Sequence, residues 1–140
     1  MNYQNIKCVL IIDQSLNTGI IANVASILSI TIGEKIKELV GPDITDKAGV
    51  IHAGLTQIPI PVLGAAQSEI SNIRNEFISN PPEQAFFADF STLAQMARTY
   101  EDYTLNLQSA SPDEILYLGI ALFGDRKAVN KATKGLSLIS

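Results

Sequence analysis

The sequence has one cysteine, Cys8, one histidine, His52, and no tryptophan. A lone cysteine cannot form a disulfide within the chain, so stapling is excluded and a reducing compartment is expected. One histidine and one cysteine far apart give no ligand spacing for zinc, and neither a metal nor another cofactor is expected. Charge is scarce, at 17% of residues with a net value of −4. That balance argues against a non-specific nucleic-acid binder, which draws on a basic excess. Long apolar runs are missing too. The longest, Gly19–Ile32, is broken by Asn23, Ser26, Ser29 and Thr31, so no membrane partner is expected. No basic stretch with a signal-type apolar core opens the chain, and a cytoplasmic location is expected. Phosphate-binding glycine loops are also absent. Gly119 and Gly124 have Walker-type spacing, but Asp125-Arg126 follows where Lys-Ser or Lys-Thr is required.

What is present is apolar, 46% of 140 residues, enough for one domain over residues 1–140 with a single core. Ile6–Ile12 lacks alternation and reads as a strand covered on both faces. A polar loop follows, Asn17 or Thr18 can cap a helix, and Ile20, Ile21, Val24, Ile27 and Leu28 then recur at helical spacing. The Asp46–Gly49 turn, between extended segments near 36–44 and 50–55, predicts a hairpin on the sheet's rim. Ile58–Leu63 reads as a strand, and Pro59 and Pro61 put it at an edge or just inside a strand's start. Gln67–Ile78 is an amphipathic helix with Ile70, Ile73 and Phe77 on its buried stripe and Arg74 elsewhere, stopped by Asn80-Pro81-Pro82.

Ala85–Ala88 reads as a short strand ending at Asp89. One long helix then follows, capped by Ser91 or Thr92, with Leu93, Met96, Tyr100 and Leu107 facing inward. Ile115–Phe123 is apolar on both faces and hence central. Asp125 caps a short helix, Arg126–Lys134, that Gly135 ends, and Leu136–Ile139 is a last apolar tail. Strands alternating with helices predict a two-layer or three-layer α/β sandwich, with a mixed, mostly parallel sheet of about four strands.

In open α/β sheets, ligands collect outside the carboxyl ends of the strands. Asp13 and Asp89 fall at such ends in this reading. On neighbouring strands, they and the capping residues Asn17 and Thr18 would border one crevice. A carboxylate there can act as general base or orient an amine or hydroxyl. The helix start at Thr18-Gly19 offers free N–H groups to an anion, and Gly19 permits close approach. The plainer alternative is that each Asp caps its own turn. Arg126, Lys127, Lys131 and Lys134 form the one basic cluster, suited to a phosphate or a partner's carboxylates, or simply to solvent. Cys8 reads as an inert core residue and His52 as a loop or edge residue.

Three stretches carry a family resemblance: Lys7–Asp13 leading into Asn17-Thr18-Gly19 and Ala22-Asn23; Ile58–Leu63; and Tyr117–Gly124 followed by Lys127–Lys131. Through them nearly the whole chain resembles the uncharacterised bacterial proteins of domain-of-unknown-function family number two thousand, which share the fold of type II peptidyl-tRNA hydrolases. The resemblance implies a peptidyl-tRNA hydrolase II-like fold and a homodimer, with Asp89 at the acidic catalytic position. The hydrolases' Gly-Lys-Gly-Lys loop reads Leu16-Asn17-Thr18-Gly19-Ile20 here. Its catalytic lysine position is Gly19, and the helix glutamine is Asn23. Losing the cationic group removes electrostatic stabilisation, usually the largest catalytic term. The favoured reading is a protein that binds, or acts on, a small polar ligand at Asp13, Asn17, Thr18, Gly19, Asn23 and Asp89. The alternatives are peptidyl-tRNA or related ester hydrolysis, with tRNA held by Arg126, Lys127 and Lys131, and a non-enzymatic interaction module.

Overall fold

Two strands with no polar face set the architecture. In the computed structural model, which describes residues 3–140, β1 (Ile6–Asp13) turns Cys8, Leu10 and Ile12 to one side and Val9 and Ile11 to the other. Both sets are buried because a helical layer covers each face of the sheet. Helix α1 (Thr18–Lys35) packs Val24, Leu28 and Ile32 on the first face. It starts at Asn17, whose side chain accepts the Ile20 N–H at 3.0 Å. Past the short helical turn Lys37–Leu39, the chain makes a two-stranded ribbon of β2 (Ile44–Thr45) and β3 (Ile51–His52), separate from the main sheet.

Strand β4 (Val62–Ala65) runs parallel to β1 and leads into α2 (Gln67–Ser79) on the second face. Pro59 and Pro61 precede its ladder, where the missing N–H costs nothing, and the Pro61 carbonyl accepts from the Leu10 N–H at 2.9 Å. Strand β5 (Phe86–Ser91) is followed by α3 (Thr92–Met96) and α4 (Tyr100–Ser109). Strand β6 (Tyr117–Asp125) then inserts between β5 and β1, antiparallel to both. Helix α5 (Arg126–Ala132), capped by Asp125, joins α2 on the second face, and β7 (Ser137–Leu138) pairs with β4.

The result is a three-layer sandwich around a five-stranded mixed sheet of order β5-β6-β1-β4-β7. Only the β1–β4 pair is parallel, so the expectation of a mostly parallel four-stranded sheet is corrected. The reason is β6, which follows α4 but returns antiparallel between two earlier strands. The single long helix expected after Ser91 is also corrected. The chain breaks at Ala97–Thr99, Thr99 caps α4 through the Asp102 N–H at 3.0 Å, and Met96 and Tyr100 face solvent. Gly119 matters for layer spacing: a Cβ there would lie 2.7 Å from Val24 Cγ1 and 3.3 Å from Leu28 Cδ1. Among the described residues, no helix is long and apolar enough to cross a membrane.

Candidate active site at the β5 edge

Asp89 does not sit at a strand end. Strand β5 continues through Phe90 and Ser91, which pair with Gly119 and Tyr117, so Asp89 lies mid-strand opposite Ile120. It shares the face of the sheet on which α2 packs, and Arg74 of that helix reaches it. Arg74 Nε donates to Asp89 Oδ2 at 2.8 Å, and the two side chains are 21% and 19% exposed. The guanidinium lies 4.3 Å from the Tyr117 ring centre and 5.7 Å from that of Phe87, with Nη1 bonded to Asn75 Oδ1 at 3.0 Å. A carboxylate at this depth needs its cation, and the aromatic faces hold that cation in place. Asp89 Oδ1 accepts no hydrogen bond among the described residues.

Two phenols share this environment. Burial pushes the Tyr103 hydroxyl above its ordinary pKa, and the Asp89 carboxylate and Tyr100 push it further. Tyr117 is raised by burial too; Arg74 pulls it back, while Asp89 and Tyr103 add to the rise. Both phenols therefore stay protonated hydrogen-bond donors through the neutral range. Ser91, in register with Tyr117, is buried, and its Oγ has no hydrogen-bond partner among the described residues.

A cavity of about 510 Å³ opens beside Asp89, between α1, β5 and the α3–α4 connection. Ile27, Leu28, Phe87 and Phe90 give it apolar walls, and Asp89, Arg98 and Tyr103 its polar ones. Arg98 is exposed and has no ion-pair or hydrogen-bond partner among the described residues. A second cavity, of about 580 Å³, lies between α2 and α5 and is larger. It lacks the convergence of an ion pair, perturbed phenols and an unpartnered cation, so we place the candidate site at Asp89.

The other residues singled out from the sequence lie elsewhere. Asp13 is buried at the end of β1, and its Oδ1 accepts from the Ser15 N–H at 2.9 Å and the Ser15 hydroxyl at 2.7 Å. It closes its own turn. Strand β6 separates β1 from β5, so the two carboxylates are not on neighbouring strands; two strand spacings come to about 10 Å. Asn17, Thr18, Gly19 and Asn23 are exposed on the first turns of α1 and do not line the Asp89 cavity. Arg126 is exposed and tied to the backbone ahead of β1: its Nε donates to the Gln4 carbonyl at 2.9 Å and its Nη2 to the Ile6 carbonyl at 3.1 Å. Lys127 is exposed, and Lys131 lines the α2–α5 cavity. No group of three or more metal-ligating side chains occurs among the described residues.

Sequence reading missed Arg74, Tyr103, Tyr117 and Arg98. A signal for Arg74 was there: it stands four residues after Ile70 and three before Phe77, on the buried side of α2. An arginine in that stripe calls for a carboxylate on the surface it faces. Nothing in the sequence places Arg98 and Tyr103, because their position depends on the break between α3 and α4.

No curated protein matches this chain. Among solved structures it is similar to a protein of unknown function from Agrobacterium tumefaciens strain C58. The two are 24% identical, with a TM-score of 0.87, over 97% of this chain and 98% of that one. At that identity the likeness establishes the shared fold. The sequence model of the family described as "Protein of unknown function (DUF2000)" matches residues 6–140, and the chain belongs to that family.

Proposed function

We propose that the protein binds a small carboxylic acid, with an apolar body and a hydroxyl or amine, in the cavity between α1, β5 and α4. One observation carries the reading: an unpartnered cation, Arg98, and Asp89, whose Oδ1 accepts no hydrogen bond among the described residues, both belong to the lining of one largely apolar cavity. With Arg74 counted beside its partner, the charges at the site are +1, −1 and +1, a net +1 in a chain of net −4. An acid is thus favoured over a cation. Arg98 would receive its carboxylate, Asp89 Oδ1 its hydroxyl or amine proton, and Ile27, Leu28, Phe87 and Phe90 its apolar part. Tyr103 supplies a further donor.

Ester hydrolysis is the second reading, supported by Asp89 standing where the resemblance to type II peptidyl-tRNA hydrolases puts the acidic residue. Asp89 would be the base, and Arg98 the only free cation described at the cavity. The Arg74 bond occupies one carboxylate oxygen and fixes the side chain in place, which suits a binding anchor.

A thermal-shift panel of hydroxy and amino acids with aromatic or branched side chains tests the proposal. The expected result is a raised melting temperature for a subset, lost in both Arg98→Gln and Asp89→Asn. A panel without response, or a response kept in both variants, would overturn it. Hydrolysis of peptidyl-tRNA abolished by Asp89→Asn would install the second reading instead.

A further inference from the structure

Strand β5 is the outermost strand of the main sheet, with β6 on one side and no strand on the other among the described residues. In an antiparallel ladder, alternate residues turn their N–H and C=O groups away from the partner strand. Along Phe87–Phe90 those outward groups have no hydrogen-bond partner among the described residues. Lysine and proline, the usual guards of such an edge, are absent from Phe86–Ser91. The one charge in the strand, Asp89, is held by Arg74.

The cavity beside Asp89 runs along this edge. Successive side chains of a strand point to opposite faces, yet Phe87, Ala88, Asp89 and Phe90 all line that cavity. A space that meets both faces of one strand, when β6 takes the other edge, lies at the free edge. Four residues cover about 10 Å of strand, the reach of three or four residues of an added one. Arg98 stands in the same lining with no carboxylate to pair with. Free backbone groups on an edge are complementary to an extended chain, and an unpaired guanidinium is complementary to a carboxylate. A free hydroxy or amino acid would answer the guanidinium and leave the edge to water. The last residue of a peptide answers both.

We propose that the acid bound here is the C-terminal residue of a peptide, which adds to β5 as a further strand and sets its terminal carboxylate on Arg98. This rests on the Asp89 cavity being an acid-binding site and names the class of its ligand. The amide N–H of the final residue stands where the hydroxyl or amine proton of a smaller acid would, beside Asp89 Oδ1. Its apolar side chain lies against the wall of Ile27, Leu28 and Phe90. Earlier residues follow the edge of β5, where main-chain bonds accept almost any sequence, so selection falls on the end of the peptide.

Fluorescence anisotropy on the full chain tests this, with hexapeptides labelled at the amino end and ending in phenylalanine, leucine or valine. Each is made as the free acid and as the C-terminal amide. At least one free acid is expected to bind saturably, its amide at least about tenfold more weakly, and Arg98→Gln to bind neither. N-methylation of single peptide amides then reads the strand pairing. Methylating an amide that donates to β5 is expected to weaken binding at least about tenfold, and methylating its neighbour far less, so that losses alternate along the peptide. Small acids that bind in the thermal-shift panel while no free-acid peptide does would overturn the peptide proposal and leave the acid site standing. Failure of both would end both. Amides that bind as well as the free acids, or N-methyl losses without alternation, would also overturn the peptide proposal.

Discussion

Replacing Arg74 by methionine keeps an apolar stem over Tyr117 and removes the cation that faces Asp89. The lost contact is a charge-assisted hydrogen bond between side chains about one-fifth exposed. In full burial such a loss strands a charge; at this exposure solvent screens part of the cost, and about 1 to 2 kcal/mol is expected from the bond. The contact with the Tyr117 ring adds about 1 kcal/mol, so Arg74→Met is expected to destabilise by about 2 to 3 kcal/mol. Asp89→Asn alone leaves a guanidinium with a weaker acceptor and costs about 1 to 2 kcal/mol. In the double variant the bond is counted once, which leaves a coupling energy of about 1 to 2 kcal/mol. Urea unfolding of the four proteins, with m-values compared to check two-state behaviour, measures it. A coupling below about 0.3 kcal/mol would refute the claim that Arg74 holds Asp89.

Three further outcomes are expected. Cys8, fully buried with its thiol pushed up to about 12, stays unlabelled by a thiol reagent in the native protein at mildly alkaline pH and reacts completely once unfolded; rapid native labelling would contradict the burial. Gly119→Ala drives a methyl group into Val24 and Leu28 of α1 and is expected to cost about 1 to 3 kcal/mol in chemical unfolding, whereas Gly33→Ala meets open space and should cost far less. Asp46 is held below its ordinary carboxylate pKa, first by His52 and then by backbone N–H groups. Its support of the β2–β3 ribbon is therefore complete above the unfolded value near pH 4 and is lost as pH falls through the lower folded value. Hydrogen exchange at the Ala48 and Val50 amides should speed up on acidification below about pH 4, once the intrinsic rate is divided out, and Asp46→Asn should abolish that dependence.

Much of the layering was legible because β1 and β6 carry no polar face, and only a double-sided cover explains such strands. Asn17, Asp125 and Gly135 were legible for local reasons: the first two accept backbone N–H groups at helix starts, and Gly135, at φ 88°, adopts a conformation that favours glycine. Strand order was not legible. Nothing in Tyr117–Asp125 says that it inserts between β5 and β1, and the shared crevice of Asp13 and Asp89 depended on that order. Asp89 looked like a strand-end residue because a charge inside a strand is normally excluded. Arg74, fifteen residues earlier, removes that objection only in three dimensions. The break at Ala97–Thr99 was likewise hidden, since Leu93, Met96 and Tyr100 fit helical spacing although Met96 and Tyr100 face solvent.

The proposed site has Asp89 and Arg98 address one ligand in one cavity. Titrating the isotope-labelled protein with 3-phenyllactate, an acid with a hydroxyl and an aromatic body, and following backbone amide shifts tests it most directly. Saturable shifts centred on Phe87–Phe90, Arg98 and Tyr103 are expected, and they disappear in Arg98→Gln. Shifts centred instead on Asn17, Thr18 and Asn23, or unchanged in Arg98→Gln, would contradict it and return the site to the start of α1.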